Sequence, residues 1–450
     1  MAKPNRSLGW KDLFLCYPIF DSICAHLDPN EILFLRLTTK QLSSSFESLF
    51  KTQWNINRQL TRFVKDPISF RSKLAKHNAL ISGSFALQFF ERVLWNDSDL
   101  DIYVDGSDFP RSPDPLGRYL VEREGYKLQS TKTEKPDGLM VYASRTSYIS
   151  QVETYHRSSS SKENPIQIQV IYTTSTPFQA IVAGFNQTLV MNIISWDFAY
   201  SLFPDLNFIK RTAYDINGSD DFTLEREDHE DHKTKYTLRG WNCEKAAAYG
   251  ETKNLHSLQL SGRRRIGDSY TWTIKLDTNG IDAGQPSSVL QHSFFKVIKR
   301  MPRIINTEPT NYIVHVRSVK SCVLRYEYTK TIEYHLDEFW GSVEQKLDEL
   351  THSQRSKYDC TEPARPYHSE PGWRSVSYWA LVTQIARREW TFYDDQIPIW
   401  YEQYIKDHPE AAFAAQANFE SEQIEMESSI EDEAEISRAG MTEFKMEEVD

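Results

Sequence analysis

Two aspartates one residue apart, Asp99 and Asp101, follow a Gly83-Ser84 pair in the segment ISGSFALQFFERVLWNDSDLDIYV at 81–104. Alternate side chains of a strand share a face, so both carboxylates project to one side while Leu100, Ile102 and Val104 project to the other. Two carboxylates on one face repel unless a positive charge lies between them. A hard divalent cation, Mg²⁺ or Mn²⁺, is the usual partner, because it prefers oxygen ligands. Glycine at 83 lets a phosphate approach the backbone. Ser84 is expected to cap a helix and offer its hydroxyl at that helix's positive end. A phosphate cradle beside metal-binding carboxylates is equipment for nucleotidyl transfer.

The elements that must position these residues are readable on either side. Leu80 and Ile81 end a strand, and Ala86, Phe89, Phe90, Val93 and Leu94 recur at the spacing of one apolar helical stripe. Pro165–Tyr172 alternates as a strand whose polar face carries Gln167 and Gln169. Asn192–Phe203, aromatic and ending before Pro204, reads as a buried helix, and Thr271–Leu276 as a strand. Further on, the spacing predicts a helix at Ser293–Met301, strands at Tyr312–Val316 and Val323–Ile332, and an amphipathic helix at Leu336–Leu350.

At Gly83-Ser84 and Asp99-Leu100-Asp101 the chain resembles the polymerase-β-like nucleotidyltransferase superfamily, whose signature is Gly-Gly/Ser followed by an Asp-x-Asp/Glu strand. The fourteen residues from Phe85 to Ser98 sit at the long edge of that family's spacing. The resemblance implies an α/β (α+β) fold with a mixed sheet and flanking helices. It also implies that Gly83 and Ser84 bind a nucleoside triphosphate and that Asp99 and Asp101 hold Mg²⁺ (or Mn²⁺) as catalytic ligands. The family completes its site with a third carboxylate from a later strand, so that two ions roughly 3.5–4 Å apart clamp the attacking and leaving oxygens. Gln169, with Gln167, stands on the strand where that aspartate is expected. Phe185–Asn192 resembles the helix entry after that strand. A neutral amide neither offsets a metal's charge nor takes a proton. Glu153 and Glu163 are the carboxylates that would have to substitute from a loop. Without one, several kcal/mol of transition-state stabilisation are lost, on the scale of about 3 kcal/mol per electrostatic group. Whether such a domain turns over or only binds is left open by these residues.

The N-terminal stretch reads as three short helices. Pro18 opens the first, with Phe20, Ile23, Cys24 and Leu27 at helical spacing; Glu31–Thr38 begins the second, and a third follows Ser43-Ser44-Ser45. The pattern resembles an F-box, with Tyr17-Pro18 in place of the usual Leu-Pro. That resemblance implies that Pro18, Ile19, Ile23, Leu27, Ile32, Leu33 and Leu35 supply a core and a surface for a Skp-type adaptor of a cullin ubiquitin ligase. The order of this module and the Gly-Ser/Asp-x-Asp stretch is similar to that in fungal proteins with no settled activity, over roughly residues 10–275.

The chain has 450 residues and a formal net charge of −11, of which −10 falls in residues 411–450. The near-neutral remainder argues against broad nucleic-acid binding, which needs an excess of Lys and Arg on one face. Arg239, Arg263 and Arg264, each close to tryptophan in sequence, are candidates for contacting phosphate beside a stacked base. Glu225–Lys235, with His229, Asp231 and His232, is a dense charge run better read as solvated than as a metal site. Five widely spaced cysteines without CxxC spacing indicate free thiols in a reducing compartment, cytoplasmic or nuclear. No apolar run is long enough for a membrane span. The expected organisation is an F-box-like module at 10–65, a nucleotidyltransferase-like domain at 66–280, a C-terminal α+β region at 281–410 and an acidic disordered tail at 411–450. Two functions follow: a nucleotidyltransferase-fold domain that binds a nucleoside triphosphate with Mg²⁺ and either passes the nucleoside monophosphate to a hydroxyl or, with its third carboxylate replaced by Gln, only binds; or a non-enzymatic F-box-type adaptor of a cullin ubiquitin ligase.

Overall fold

The structure is a computed structural model that describes residues 14–38, 42–106, 116–133, 148–158, 165–216, 234–245, 262–300, 311–331, 338–356 and 390–409. The acidic tail, the 225–233 charge run, Glu163 and Cys360 lie outside these residues.

Three helices, α1 (Tyr17–Cys24), α2 (Pro29–Thr38) and α3 (Ser43–Thr52), open the chain. Proline sits in the first turn of α1, where its missing N–H is no loss. Glu31 accepts from the Asp28 N–H at 2.7 Å, tying down the start of α2. Phe20, Cys24, Ile32, Phe46 and Leu49 are buried together. Leu27 packs partly buried against this core, and Ile23 is partly buried.

The three helices share an apolar core with the rest of the fold, and Arg92 pins them to it. Arg92 stands in the left-handed region at φ 58°. Its guanidinium donates to the Cys24 and Leu27 carbonyls and to Gln53 Oε1, and lies 4.8 Å from the Trp54 ring centroid. The Trp54 indole donates to the Phe90 carbonyl, and its ring packs edge-on against Trp272 at 5.7 Å.

After α4 (Ile56–Leu60) and α5 (Pro67–Lys76) the chain enters a large mixed sheet. In order come β1 (Leu80–Ser82), α6 (Gly83–Glu91), β2 (Leu100–Asp105), α7 (Leu116–Glu122), β3 (Lys127–Thr133), β4 (Ile149–Arg157), β5 (Ile166–Thr173) and α8 (Pro177–Gly184). Then follow β6 (Asn192–Ile194), β7 (Phe198–Ser201), β8 (Thr212–Asp215), β9 (Asn242–Lys245), β10 (Gly262–Arg265) and β11 (Trp272–Lys275). The sheet order is β11-β7-β6-β1-β2-β5-β4-β3, with β2 and β5 parallel and every other neighbouring pair antiparallel. One face buries Ile81, Ile102, Ile168 and Val170 with Phe85, Phe89 and Phe90 of α6. The other buries Leu80, Tyr103 and Ile171 with Phe178, Ile181 and Val182 of α8. The chain is thus a mixed α/β protein with helices flanking a large sheet.

The remaining elements are α9 (Ser287–Gln291), β12 (Phe294–Arg300), β13 (Asn311–His315), β14 (Arg317–Val319), β15 (Tyr328–Lys330), α10 (Glu338–Ser356) and α11 (Gln396–Asp407). They bury a separate apolar cluster that includes Phe294, Trp340, Val343, Leu347 and Ile397. Among the described residues no helix is long and apolar enough to cross a membrane.

Several sequence expectations are corrected. Asn192–Phe203 is not a helix but the hairpin β6–β7, closed where Ser195 N–H bonds the Phe198 carbonyl at 2.8 Å. Both of its faces are buried, so no polar alternation marks it as sheet. The helix expected at Ser293–Met301 is replaced over Phe294–Arg300 by the strand β12, paired on both sides by β10 and β13. Phe185–Asn192 holds only a 3-10 turn at Thr188–Val190, and the helix in this region is α8, just before it. The expected strand at Val323–Ile332 shortens to β15. The strands at Tyr312–Val316 and Thr271–Leu276 and the helix at Leu336–Leu350 correspond to β13, β11 and α10.

Candidate functional site

The Asp99/Asp101 ledge is assembled by β1, α6, β2 and β5. In register, Ser82 of β1 faces Asp101 of β2, which faces Gln169 of β5. Ser82, Asp101 and Gln169 therefore share one face, and Asp99, two residues back, falls on the same side. Ser82 is fixed by donating to the Asn192 carbonyl at 2.6 Å. Gly83 turns the chain into α6 at φ 71°, in the region where glycine is at home. A Cβ there would lie 2.5 Å from Asp101 Oδ2, so residue 83 must lack a side chain for that carboxylate to sit where it does.

The loop before Asp99 is pinned from three directions. The Trp95 N–H bonds Gln88 Oε1 at 2.8 Å, Arg62 donates to the Trp95 carbonyl at 2.7 Å, and the Ser84 and Ser98 hydroxyls meet at 2.6 Å. Ser84 is thus inside the first turn of α6 and bonded to Ser98, while the capping position belongs to Ser82, whose side chain makes no cap bond. The helix stops at Glu91, earlier than its apolar stripe suggests, because Arg92 turns left-handed. Leu94 is consequently 64% exposed.

Asp99 Oδ2 accepts from Gln169 Nε2 at 2.9 Å and from Gln167 Nε2 at 3.4 Å, and Gln167 Oε1 is 2.9 Å from His156 Nε2. Burial, and then the charge of Asp99, push the Asp101 carboxyl well above its ordinary range, with Lys235 pulling the other way. The phenol of Tyr236 is also raised, by burial and by Asp101 and Asp99, against the influence of Arg239. Lys235 and Tyr236 were not singled out as candidates from sequence. Only their place in the stretch Lys235–Trp241, already conspicuous for Arg239 and Trp241, hinted at them.

Glu153 does not supply the third carboxylate. It faces Val170 in register while Thr154 faces Gln169, so it lies on the opposite face of the sheet. There its oxygens accept from Tyr155, Tyr172 and Gln151. Among the described residues no three His, Cys, Asp or Glu side chains gather as a metal group. The two aspartates, with the Gln169 amide beside them, would offer oxygen ligands to one divalent cation such as Mg²⁺, which would neutralise their charge. Among the described residues no further carboxylate joins them to hold a second ion.

The other candidates divide. Arg239 joins the ledge's border: it lies 3.9 Å from the Trp95 ring centroid and bonds both oxygens of Asp97 at 2.9 and 3.0 Å. Arg263 and Arg264 belong to β10, in a different, three-stranded sheet. Arg264 is buried and bonded to Asp268 at 2.6 Å and to the Leu202 carbonyl at 2.9 Å, which makes it a structural anchor. Comparison with family models, curated proteins and solved structures gives no match to this chain.

Proposed function

We propose that the ledge binds the triphosphate of a nucleotide through one Mg²⁺ (or Mn²⁺) held by Asp99 and Asp101. The observation that carries this reading is the register Ser82–Asp101–Gln169 beside a glycine that no other residue could replace without moving Asp101. The resemblance to polymerase-β-like nucleotidyltransferases points the same way. When bound, the cation supplies charge neutralisation of phosphate oxygens. The chain's own part is to hold it with two carboxylates and to present backbone N–H groups at the start of α6. Lys235 and Arg239 add positive charge on the rim. Gln169 occupies the third position without a charge or a site for a proton, so the reading is binding with little or no transfer of nucleotide to a hydroxyl.

Calorimetry with each of the four Mg²⁺–NTPs tests it. Wild type is expected to bind at least one in a metal-dependent way, and the Asp99→Asn/Asp101→Asn double variant to bind it at least 100-fold more weakly. Equal binding by the two proteins, or none by folded wild type, would overturn the assignment.

A second reading concerns the N-terminal helices. Leu15, Ile19 and Phe34 are 54%, 39% and 58% exposed, apolar side chains left outside the packed core of α1–α3. This surface suits the helix-in-groove docking of a Skp-type adaptor. Purified adaptor should be retained by wild type and lost, by tenfold or more in affinity, in Phe34→Asp. Retention by that variant would remove the adaptor reading.

A further inference from the structure

At the far end of β2 from the aspartate pair, the sheet body and the C-terminal elements enclose a cleft of about 640 Å³. Asp101 and Asp105 are four residues apart, roughly 13 Å along a strand at about 3.3 Å per residue, so the cleft and the ledge are separate places. Asp105, the β6–β7 turn with Trp196 and Asp197, and Ser287, Tyr326 and Glu327 all line it. Its volume lies inside the roughly 300–1,000 Å³ of small-molecule sites.

The lining carries three carboxylates, Asp105, Asp197 and Glu327, against Lys320 and Arg325. Lys320, the lining lysine, is already held by Glu327 Oε2 at 2.7 Å. Arg325 is exposed and lies 4.9 Å from the Phe392 ring centroid. Asp197, by contrast, is 8% exposed and accepts a hydroxyl from Ser195 at 2.8 Å. Burial raises its carboxyl above the ordinary range, against hydrogen bonds from Ser195 and Ser287 and the charge of Arg71. Glu327 Oε1 is buried and receives no hydrogen bond. A buried acceptor without a donor is costly, and a charged donor is the strongest remedy. Two aromatic rings complete the chemistry. The Trp196 indole is fixed by its bond to the Gln285 carbonyl at 2.8 Å, and Tyr326 lines the same cleft. Aromatic rings lining the same cleft as these carboxylates favour a cation that can meet both.

We propose that this cleft is a second binding site, for a small organic cation bearing an ammonium or guanidinium group, held by Asp197 and Glu327 against Trp196 and Tyr326. The probe is agmatine, titrated by calorimetry at low ionic strength into the full chain, with 1-butanol as a neutral comparison. Saturable one-to-one binding is expected, weakened at least tenfold in Asp197→Asn and in Glu327→Gln and unchanged in Asp99→Asn/Asp101→Asn. Butanol should not bind. Absence of saturable binding, equal affinity in the cleft variants, or butanol binding as well as agmatine overturns the proposal. Asp197 lies near the buried Arg71; if its variant does not fold, Glu327→Gln decides alone. The unchanged response of the ledge variant keeps this result independent of nucleotide binding.

Discussion

Replacing Arg71 by methionine is expected to lower the free energy of unfolding by about 3–5 kcal/mol, on the scale of roughly 1.5–3 kcal/mol for each hydrogen bond made by a charged group. Arg71 is 1% exposed. Its guanidinium donates to Asn57 Oδ1 at 2.8 Å, to the Asp277 carbonyl at 2.7 Å and to the Trp196 carbonyl at 2.5 Å. One side chain therefore joins α4, α5, the β6–β7 turn and the exit of β11. Burial pulls its pKa down to about 10, against the charges of Asp277 and Asp197, which still leaves it cationic at neutral pH. Methionine fills much of the volume but removes the charged donor from three part-buried acceptors, each such hydrogen bond contributing roughly 1.5–3 kcal/mol. Urea unfolding followed by tryptophan fluorescence reads the change as a lower midpoint at unchanged slope. A loss under about 1 kcal/mol would mean that water reaches these carbonyls and that Arg71 is not a keystone.

Arg264→Met is the second large effect, and pH separates its cause from simple loss of packing. The guanidinium bonds Asp268 through Nε at 2.6 Å and Nη2 at 3.1 Å, and the Leu202 carbonyl at 2.9 Å. Burial alone would raise the Asp268 carboxyl. The charge and hydrogen bonds of Arg264, helped by Thr271 and the Arg265 N–H, outweigh it and leave the carboxyl below its ordinary 3.8. A carboxyl depressed on folding contributes stability that is complete above its unfolded value and lost as pH falls through its folded one. The variant should therefore be less stable by about 3–5 kcal/mol near neutrality, with the gap narrowing as falling pH protonates Asp268. A gap independent of pH would assign the loss to packing against Phe203 and Phe295 rather than to the ion pair. The proposed metal-dependent nucleotide binding should be the same in the folded variant as in wild type, because Arg264 is bound up in β10.

The Gly-Ser/Asp-x-Asp segment was readable because each of its signals is local. Alternation sets the faces of β2, and the Gly-Ser pair marks the start of α6. The helix end was not readable, since Val93 and Leu94 continue the stripe while the left-handed turn at Arg92 depends on carbonyls of α1, more than sixty residues earlier. The β6–β7 hairpin and β12 were misread for a different reason. Strands covered on both faces lose the period of two, and short apolar runs then fit a helix equally well. Arg264 shows the same limit at the site level. In a run of three arginines, composition suggests a surface patch, yet a strand turns alternate side chains inward, and the middle one met Asp268. Lys235 and Tyr236 reach the aspartates across more than 130 residues, a distance no periodicity spans.

The Arg92 clamp has a practical consequence. Because Arg92 takes its acceptors from the ends of α1 and Trp54 closes over Phe90 and Trp272, the N-terminal helices act as a lid glued to the back of α6. A truncation that begins at residue 66, an obvious choice for isolating the sheet, would uncover Phe90 and Trp272 and leave Arg92 without its carbonyl partners. Such a fragment would aggregate, and its failure to bind nucleotide would say nothing about the ledge. The same attachment means that any protein gripping α1 and α2 pulls on the helix whose first residue is Gly83.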